Sequence, residues 1–279
     1  DHIFYLTPSA SSTAVIGGVA NPLTWSVDTP RRDNVFQMCF VDPDQGAYSA
    51  QYISDNKLSS KIAVIYKNDD VYSTGIFNSF SAKAGELGLD IVSVTTFTTD
   101  SQTDFSVQIA DAKNSGADLV YLPTYYEANA LILTQASAAG YSPKYFGVDG
   151  MDGILSVKGF DAALAEGVML LTPFNADAED ERTKSFVSKY QEKYGDVPNQ
   201  FAADAYDCVY AIYEALKDEE GVTGASASDL CDKLTAKFTG GSFTFTGLTG
   251  ESMTWDDTGA VSKYPRGMYI ENGAYVGMD

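Results

Sequence analysis

The chain has 279 residues, 44% of them hydrophobic and 20% charged, with 38 acidic against 18 basic side chains and a net charge of −20. That length suits one large or two modest globular domains, and the acidic excess disfavours nucleic acid and anionic lipid as partners, because like charge repels. No apolar run approaches the length that spans a bilayer, and the start DHIFYLTPSA lacks the basic and apolar regions of a secretory signal, so the expectation is a chain without a signal peptide.

In chain order, IFYL predicts a short strand that stops at Thr7-Pro8 and hands over to Ser9, Ser11, Ser12 and Thr13. Two readings fit such a hand-over. The hydroxyls cap the orphan amides of a following helix, or hydroxyls and free amides at a strand end grip an anion; the plain cap is the preferred one. VFQMCF reads as a strand carrying Cys39, and a helix is expected near 44–58. Apolar strands near 61–66, 89–97, 118–122, 144–147 and 167–171 then alternate with helices over 72–88, 104–116 and 127–140. Strands apolar along their whole length, alternating with helices, predict a parallel sheet covered on both faces.

After GVMLLTP the rhythm changes. Residues 179–194, 201–218 and 226–239 read as three successive helices, and SFTFTG, MTWDD and RGMYIENGAYV as short antiparallel strands, the final pair turning through ENG. The three cysteines, Cys39, Cys208 and Cys231, have no CxxC spacing, and buried inert thiols are expected for the first two.

A search for catalytic chemistry returns little. The sole histidine is His2, which argues against His-based acid–base catalysis and His-rich zinc sites. There is no GxGxxG, P-loop or GxSxG. SDNK at 54–57 contains a chance SxxK, and DAEDE at 177–181 lacks the spacing of a calcium loop and suits a solvated helix N-terminus. The expectation is therefore a protein without catalytic residues, metal or cofactor.

In open parallel sheets ligands bind beyond the carboxyl ends of strands. Those positions read Ser9-Ala10-Ser11, NDDVYSTG (68–75), PTYYE (123–127) and VDGMDG (148–153). Hydroxyls, tyrosines and one carboxylate suit a small zwitterion, with Asp149 for its ammonium. The structural alternatives are a helix-start packing role for Tyr72 and a turn role for Asp149 before Gly150.

At these residues the sequence resembles the leucine/isoleucine/valine-binding proteins, the class I solute-binding proteins of ABC amino-acid importers. LTPSAS, DNVFQMCFVDPDQGAYSAQYI, KIAVIYKNDDVYSTG, ADLVYLPTYYEANALILTQASAAG, YFGVDGMDG and DAALAEGVMLLTP follow the family's order over essentially the whole chain. The resemblance implies an α/β class I periplasmic-binding-protein fold: two doubly wound parallel-sheet lobes joined by a three-segment hinge, with an amino acid held between them. It implies a first lobe of residues 1–43 and 174–249 and a second of 44–173 and 250–279, with hinges near Pro43-Asp44, Thr172-Pro173 and Gly247–Gly250.

Carried over by position, Ser9, Ala10 and Ser11 match the segment that holds the α-carboxylate. Tyr72 and Tyr125 match the aromatic contacts, and Asp149, followed by Gly150, matches the acid that pairs with the ammonium. That acid is often Glu in the family, and Asp is one methylene shorter. About three βα units of the family, roughly 30 residues each by the general size of such units, precede the segment matching IFYLTPSAS, so the first lobe is expected to be incomplete with unpaired sheet edges.

What the resemblance implies is a non-enzymatic, extracytoplasmic binding protein, periplasmic or a cell-surface lipoprotein. Its partners would be an amino acid, branched-chain or small aliphatic, and a membrane ABC permease, with oligomerisation open to it through the incomplete lobe. The rival expectations are a ligand-sensing receptor domain on the same scaffold, and a truncated form that no longer binds ligand and serves as an interaction module.

Overall fold

Phe4, Leu6, Phe36 and Met38 turn their side chains into one core, and that period of two along each segment lays two short strands side by side. Strand β1 (Tyr5–Thr7) pairs in parallel with β2 (Val35–Gln37), Leu6 opposite Phe36. The computed structural model describes residues 2–24 and 26–278. Its contacts divide the chain into two units, residues 1–41 with 176–264 and residues 42–175 with 265–279.

The second unit is built on seven strands. β3 (Ile62–Lys67), β4 (Ile91–Phe97), β5 (Leu119–Leu122), β6 (Lys144–Gly147) and β7 (Met169–Thr172) run parallel, and β8 (Arg266–Glu271) and β9 (Ala274–Gly277) close the sheet antiparallel. Their order is β4-β3-β5-β6-β7-β8-β9. The apolar strands face two cores at once. Ala63 and Ile65 point to a cluster with Phe105, Leu133 and Met151, whereas Ile62 and Val64 point to one with Phe80, Tyr121 and Phe146.

Helices α1 (Asp42–Asp55) and α2 (Val71–Leu87) supply residues to the second of these cores, and α3 (Ser106–Asn114) and α4 (Tyr126–Ala138) to the first. Gly46 lets α1 press on α2, since a Cβ there would lie 2.2 Å from the carbonyl oxygen of Ile76. Asn272 and Gly273, at φ of 53° and 73°, form the tight turn between β8 and β9, the pair of positive-φ residues that such hairpins favour.

The first unit sets α5 (Glu181–Tyr194), α6 (Gln200–Leu216) and α7 (Ala227–Thr239) with the β1–β2 pair. Phe36, Met38, Cys208, Ala211, Phe238, Phe245 and Trp255 form its core. Asp180 caps α5 by accepting from the Thr183 amide at 3.0 Å, the helix-start role expected of the DAEDE run. Cys39, Cys208 and Cys231 are buried and form no disulfide among the described residues, and burial pushes the Cys208 thiol up to about 12.

Two expectations are corrected. Residues 250–264 belong to the first unit, so the third passage between units falls after Tyr264 and not at Gly247–Gly250. The physical reason is a set of long-range anchors. Trp255 Nε1 donates to the Gln37 carbonyl at 2.7 Å, Phe245 bridges Met253, Trp255 bridges Val261, and the buried Lys263 ammonium donates to Asp204 at 2.7 Å. The strands that return to the second unit accordingly start at Arg266. The helix after Ser9–Ser12 is also absent. Residues 13–16 form turns, with Val15 N–H on Ser12 O and Gly17 N–H on Thr13 O, and Gly17 then leads to a close approach on Pro30.

Candidate functional site

Three neighbouring strand ends of the second unit deliver the residues singled out there. β3 runs into Asp70, whose carboxylate accepts from Ser73 N–H at 3.4 Å, so α2 starts at once and holds Tyr72 in its first turn. β5 ends at Leu122, and Tyr125 stands at the N-cap of α4. β6 ends at Gly147, and Asp149 begins a single 3₁₀ turn to Met151. The Tyr72 and Tyr125 rings stack at 4.8 Å and 21°. Tyr72 is 6% exposed and Tyr125 42%, so the second ring covers the first and keeps an open side.

The Tyr72 hydroxyl donates to Asp149 Oδ1 and accepts the Gly150 amide at 2.9 Å. Only glycine fits at 150, because a Cβ would lie 2.7 Å from that hydroxyl and 2.9 Å from the Thr124 carbonyl. The turn role weighed for Asp149 therefore coexists with a direct bond to Tyr72. Burial, then the charge of Asp149, holds the Tyr72 phenol well above its ordinary range, and burial followed by Asp70, Asp42 and Asp149 raises Tyr125. Both phenols stay neutral, so Tyr72 remains a donor to a buried carboxylate. A buried carboxylate bonded to a neutral phenol is chemistry suited to a cation such as a primary ammonium.

Sequence reasoning missed Asp42 and Gln45. Both lie in the first turn of α1, both are buried, and Gln45 Oε1 accepts the Asp149 amide at 3.3 Å. Gln45 Nε2 and Thr124 Oγ1 are buried polar atoms that have no partner among the described residues. The signal was present in VDPDQG, where an acid precedes a proline at a helix start, but that stretch read as a hinge.

In the first unit, β1 ends at Thr7, and Thr7 Oγ1 accepts the Ala10 amide at 3.0 Å. Gln37, fully buried on β2, donates through Nε2 to the carbonyls of Ala10 and Ser12 at 2.7 and 3.1 Å. These bonds pull the carbonyls inward. Ser9 is exposed and Ser11 buried, and among the described residues neither makes a hydrogen bond, so their hydroxyls and amides remain as donors for an anion. The cap reading of this stretch has no helix to serve.

A family model described as periplasmic binding protein matches residues 2–273. A Leu/Ile/Val-binding protein of Citrobacter freundii is 26% identical over 180 residues, 64% of this chain and 48% of the relative. A Leu/Ile/Val/Thr-binding protein of Salmonella typhimurium is 26% identical over 82% of this chain and 58% of its own length. Among solved structures, a leucine binding protein of Thermotoga maritima is 26% identical with a TM-score of 0.77, covering 100% of this chain and 73% of the relative. A branched-chain amino acid transporter substrate-binding protein of Streptococcus pneumoniae, solved with isoleucine, is 27% identical with a TM-score of 0.74 over 88% of this chain and 68% of its own. The chain spans about half the length of several of the curated relatives it matches.

Proposed function

Since the chain belongs to the periplasmic binding protein family, within its Leu/Ile/Val-binding branch, we propose that it captures an amino acid, branched-chain or small aliphatic, and hands it to a membrane ABC permease. On this reading the protein works outside the cytoplasm and catalyses nothing. The ligand's ammonium goes to Asp149, with Tyr72 and Tyr125 against it and Gly150 giving the room. Its carboxylate goes to the donors of Ser9, Ala10 and Ser11. The observation that carries the reading is the Tyr72–Asp149 pair, a buried carboxylate bonded to a neutral phenol under a second tyrosine ring. The relatives' described ligands, leucine, isoleucine and valine, supply the side-chain class.

A buried ammonium needs its counter-charge, and removing one partner of such a pair costs about 3–5 kcal/mol, more than a hundredfold in affinity. Titration calorimetry with leucine, isoleucine, valine and alanine, on the chain and on Asp149→Ala, tests this. Binding by the parent and its loss in the variant is the expected result. Equal affinity in the two would remove Asp149 from the site, and absence of heat with all four ligands would refute capture of this ligand class.

A further inference from the structure

Gln45 is a polar side chain in a place where packing alone would favour an apolar one. It is wholly buried in the first turn of α1. Among the described residues its side chain makes a single hydrogen bond: Oε1 accepts the Asp149 amide at 3.3 Å, and Nε2 has no partner. The Asp149 amide can only donate, so the two ends of the Gln45 amide cannot be exchanged. A buried donor left unpaired carries its full desolvation cost, which a methionine of similar length would avoid. Gln45 therefore weighs against stability on one side, and departures of that kind gather at functional sites.

Its one bond is made at a point the backbone cannot satisfy by itself. Asp149 opens a single 3₁₀ turn, in which the Met151 amide returns to the Val148 carbonyl at 2.9 Å. Such a turn leaves its leading amides, those of Asp149 and Gly150, without partners of their own. Side chains from two helices take both. Gln45 of α1 accepts the first, and the Tyr72 hydroxyl of α2 accepts the second at 2.9 Å while donating to Asp149 Oδ1. The helices are locked together beside these contacts. At Gly46, next to Gln45, a Cβ would lie 2.2 Å from the Ile76 carbonyl oxygen and 2.7 Å from the Phe80 amide nitrogen, and the Ser79 hydroxyl donates to the Pro43 carbonyl at 2.5 Å. The two acceptors thus keep a fixed spacing.

We propose that Gln45 is a positioning residue: by holding the Asp149 amide it aims the Asp149 carboxylate at the ligand's ammonium, an inference that rests on Asp149 being the ammonium's partner. The Tyr72 hydroxyl fixes one carboxylate oxygen and the following amide, but it leaves the peptide that precedes the Asp149 Cα free to rotate. The Gln45 bond removes that freedom, so the charge is aimed before the ligand arrives. Gln45 acts through Asp149 and touches no ligand atom.

Three variants test it. Gln45→Met removes the acceptor, Gln45→Asn withdraws it by one methylene, and Gln45→Glu keeps an oxygen in its place. Thermal unfolding reports the folding of each, and Gln45→Asn carries the comparison if Gln45→Met does not fold. Calorimetry with leucine and with 4-methylpentanoate, which lacks the amine, is the readout. In Gln45→Met and Gln45→Asn leucine should bind about tenfold more weakly, the order of one buried hydrogen bond, with the deaminated acid bound as in the parent. Gln45→Glu should keep the parent's preference for leucine. Hydrogen exchange at the Asp149 amide should speed up in the first two variants and not in the third. A preference that survives in both Gln45→Met and Gln45→Asn overturns the inference, as does an equal weakening of both ligands, which would make Gln45 merely structural, or a Gln45→Glu variant that behaves like Gln45→Met. A parent that binds the two ligands alike, or neither, overturns the assignment of Asp149 to the ammonium and this inference with it.

Discussion

The two units reach order by different means. The second rests on seven strands whose side chains fill a core on each face, with α1 and α2 bearing on one core and α3 and α4 on the other. The first has a two-stranded pair and one core, and its segment from 244 to 264 is tied down by individual polar anchors. Lys263 is wholly buried and donates to Asp204 and Thr249, while Asp207 takes the amides of Leu248 and Thr249 at 2.8 Å each. Where a ladder is missing, each backbone group must find its own partner, and one lost anchor leaves others exposed to the desolvation penalty.

The largest expected effect follows from that contrast. Lys263→Met strands the Asp204 carboxylate in the core of the first unit and should remove about 3–5 kcal/mol of stability, as breaking a buried pair by one partner does. Denaturant unfolding of Lys263→Met and of Lys263→Met/Asp204→Leu checks it. The double variant should recover most of the loss, and a single variant as stable as the parent would break the comparison.

In the second unit the corresponding weak point is steric. Gly150→Ala forces a methyl against the Tyr72 hydroxyl and the Thr124 carbonyl, and overpacking of this kind costs about 1–3 kcal/mol. Thermal unfolding should register that loss, and near-ultraviolet circular dichroism should report a shift of the tyrosine stack. A smaller effect is expected at the start of α6, where Asn199 accepts the Ala202 amide at 3.2 Å. Asn199→Ala should cost about 1 kcal/mol, read as faster exchange in the first turn of α6 with β3 to β7 unaffected.

Much of the second unit was open to reading from sequence, and for a physical reason. Strands buried on both faces must be apolar throughout, so KIAVIYK and ADLVYLP announced β3 and β5, and their strand ends pointed to Tyr72, Tyr125 and Asp149. The first unit offered no such pattern. Its third boundary was missed because residues 250–264 are held by an indole, an ammonium and two single bridges, which leave no periodicity. The absent helix after Ser9 has a similar origin: Gln37, far along the chain, takes the carbonyls of Ala10 and Ser12 that a helix would have used. Asp42 and Gln45 were hidden because their role depends on α1 meeting the β6 strand end, a contact that VDPDQG does not advertise.

A separate expected effect is one of sign. Burial, opposed by Lys263, pushes the Asp204 carboxyl up from 3.8 to about 6. The folded first unit therefore binds a proton before the unfolded chain does, and Asp204's contribution to stability grows as pH falls from about 6 towards 3.8. Asp118 in the second unit is the reverse. Partial burial raises it, but the hydroxyls of Ser59 and Ser60 and the amides of Ser60 and Lys61 outweigh that and hold it far below 3.8. Its contribution is present above 3.8 and is lost as pH falls below that value. Exchange rates followed by segment through this range should show the two units shifting in opposite directions, and Asp204→Asn should abolish the response of the first.

The central claim is that one ammonium is recognised by Asp149. It is tested most directly by calorimetry with leucine and with 4-methylpentanoate, the same molecule without its amine, on the parent chain and on Asp149→Ala. The account predicts that the parent prefers leucine by more than about a hundredfold, and that the variant loses this preference while still binding the deaminated acid as the parent does. A preference for leucine that survives intact in Asp149→Ala would contradict it.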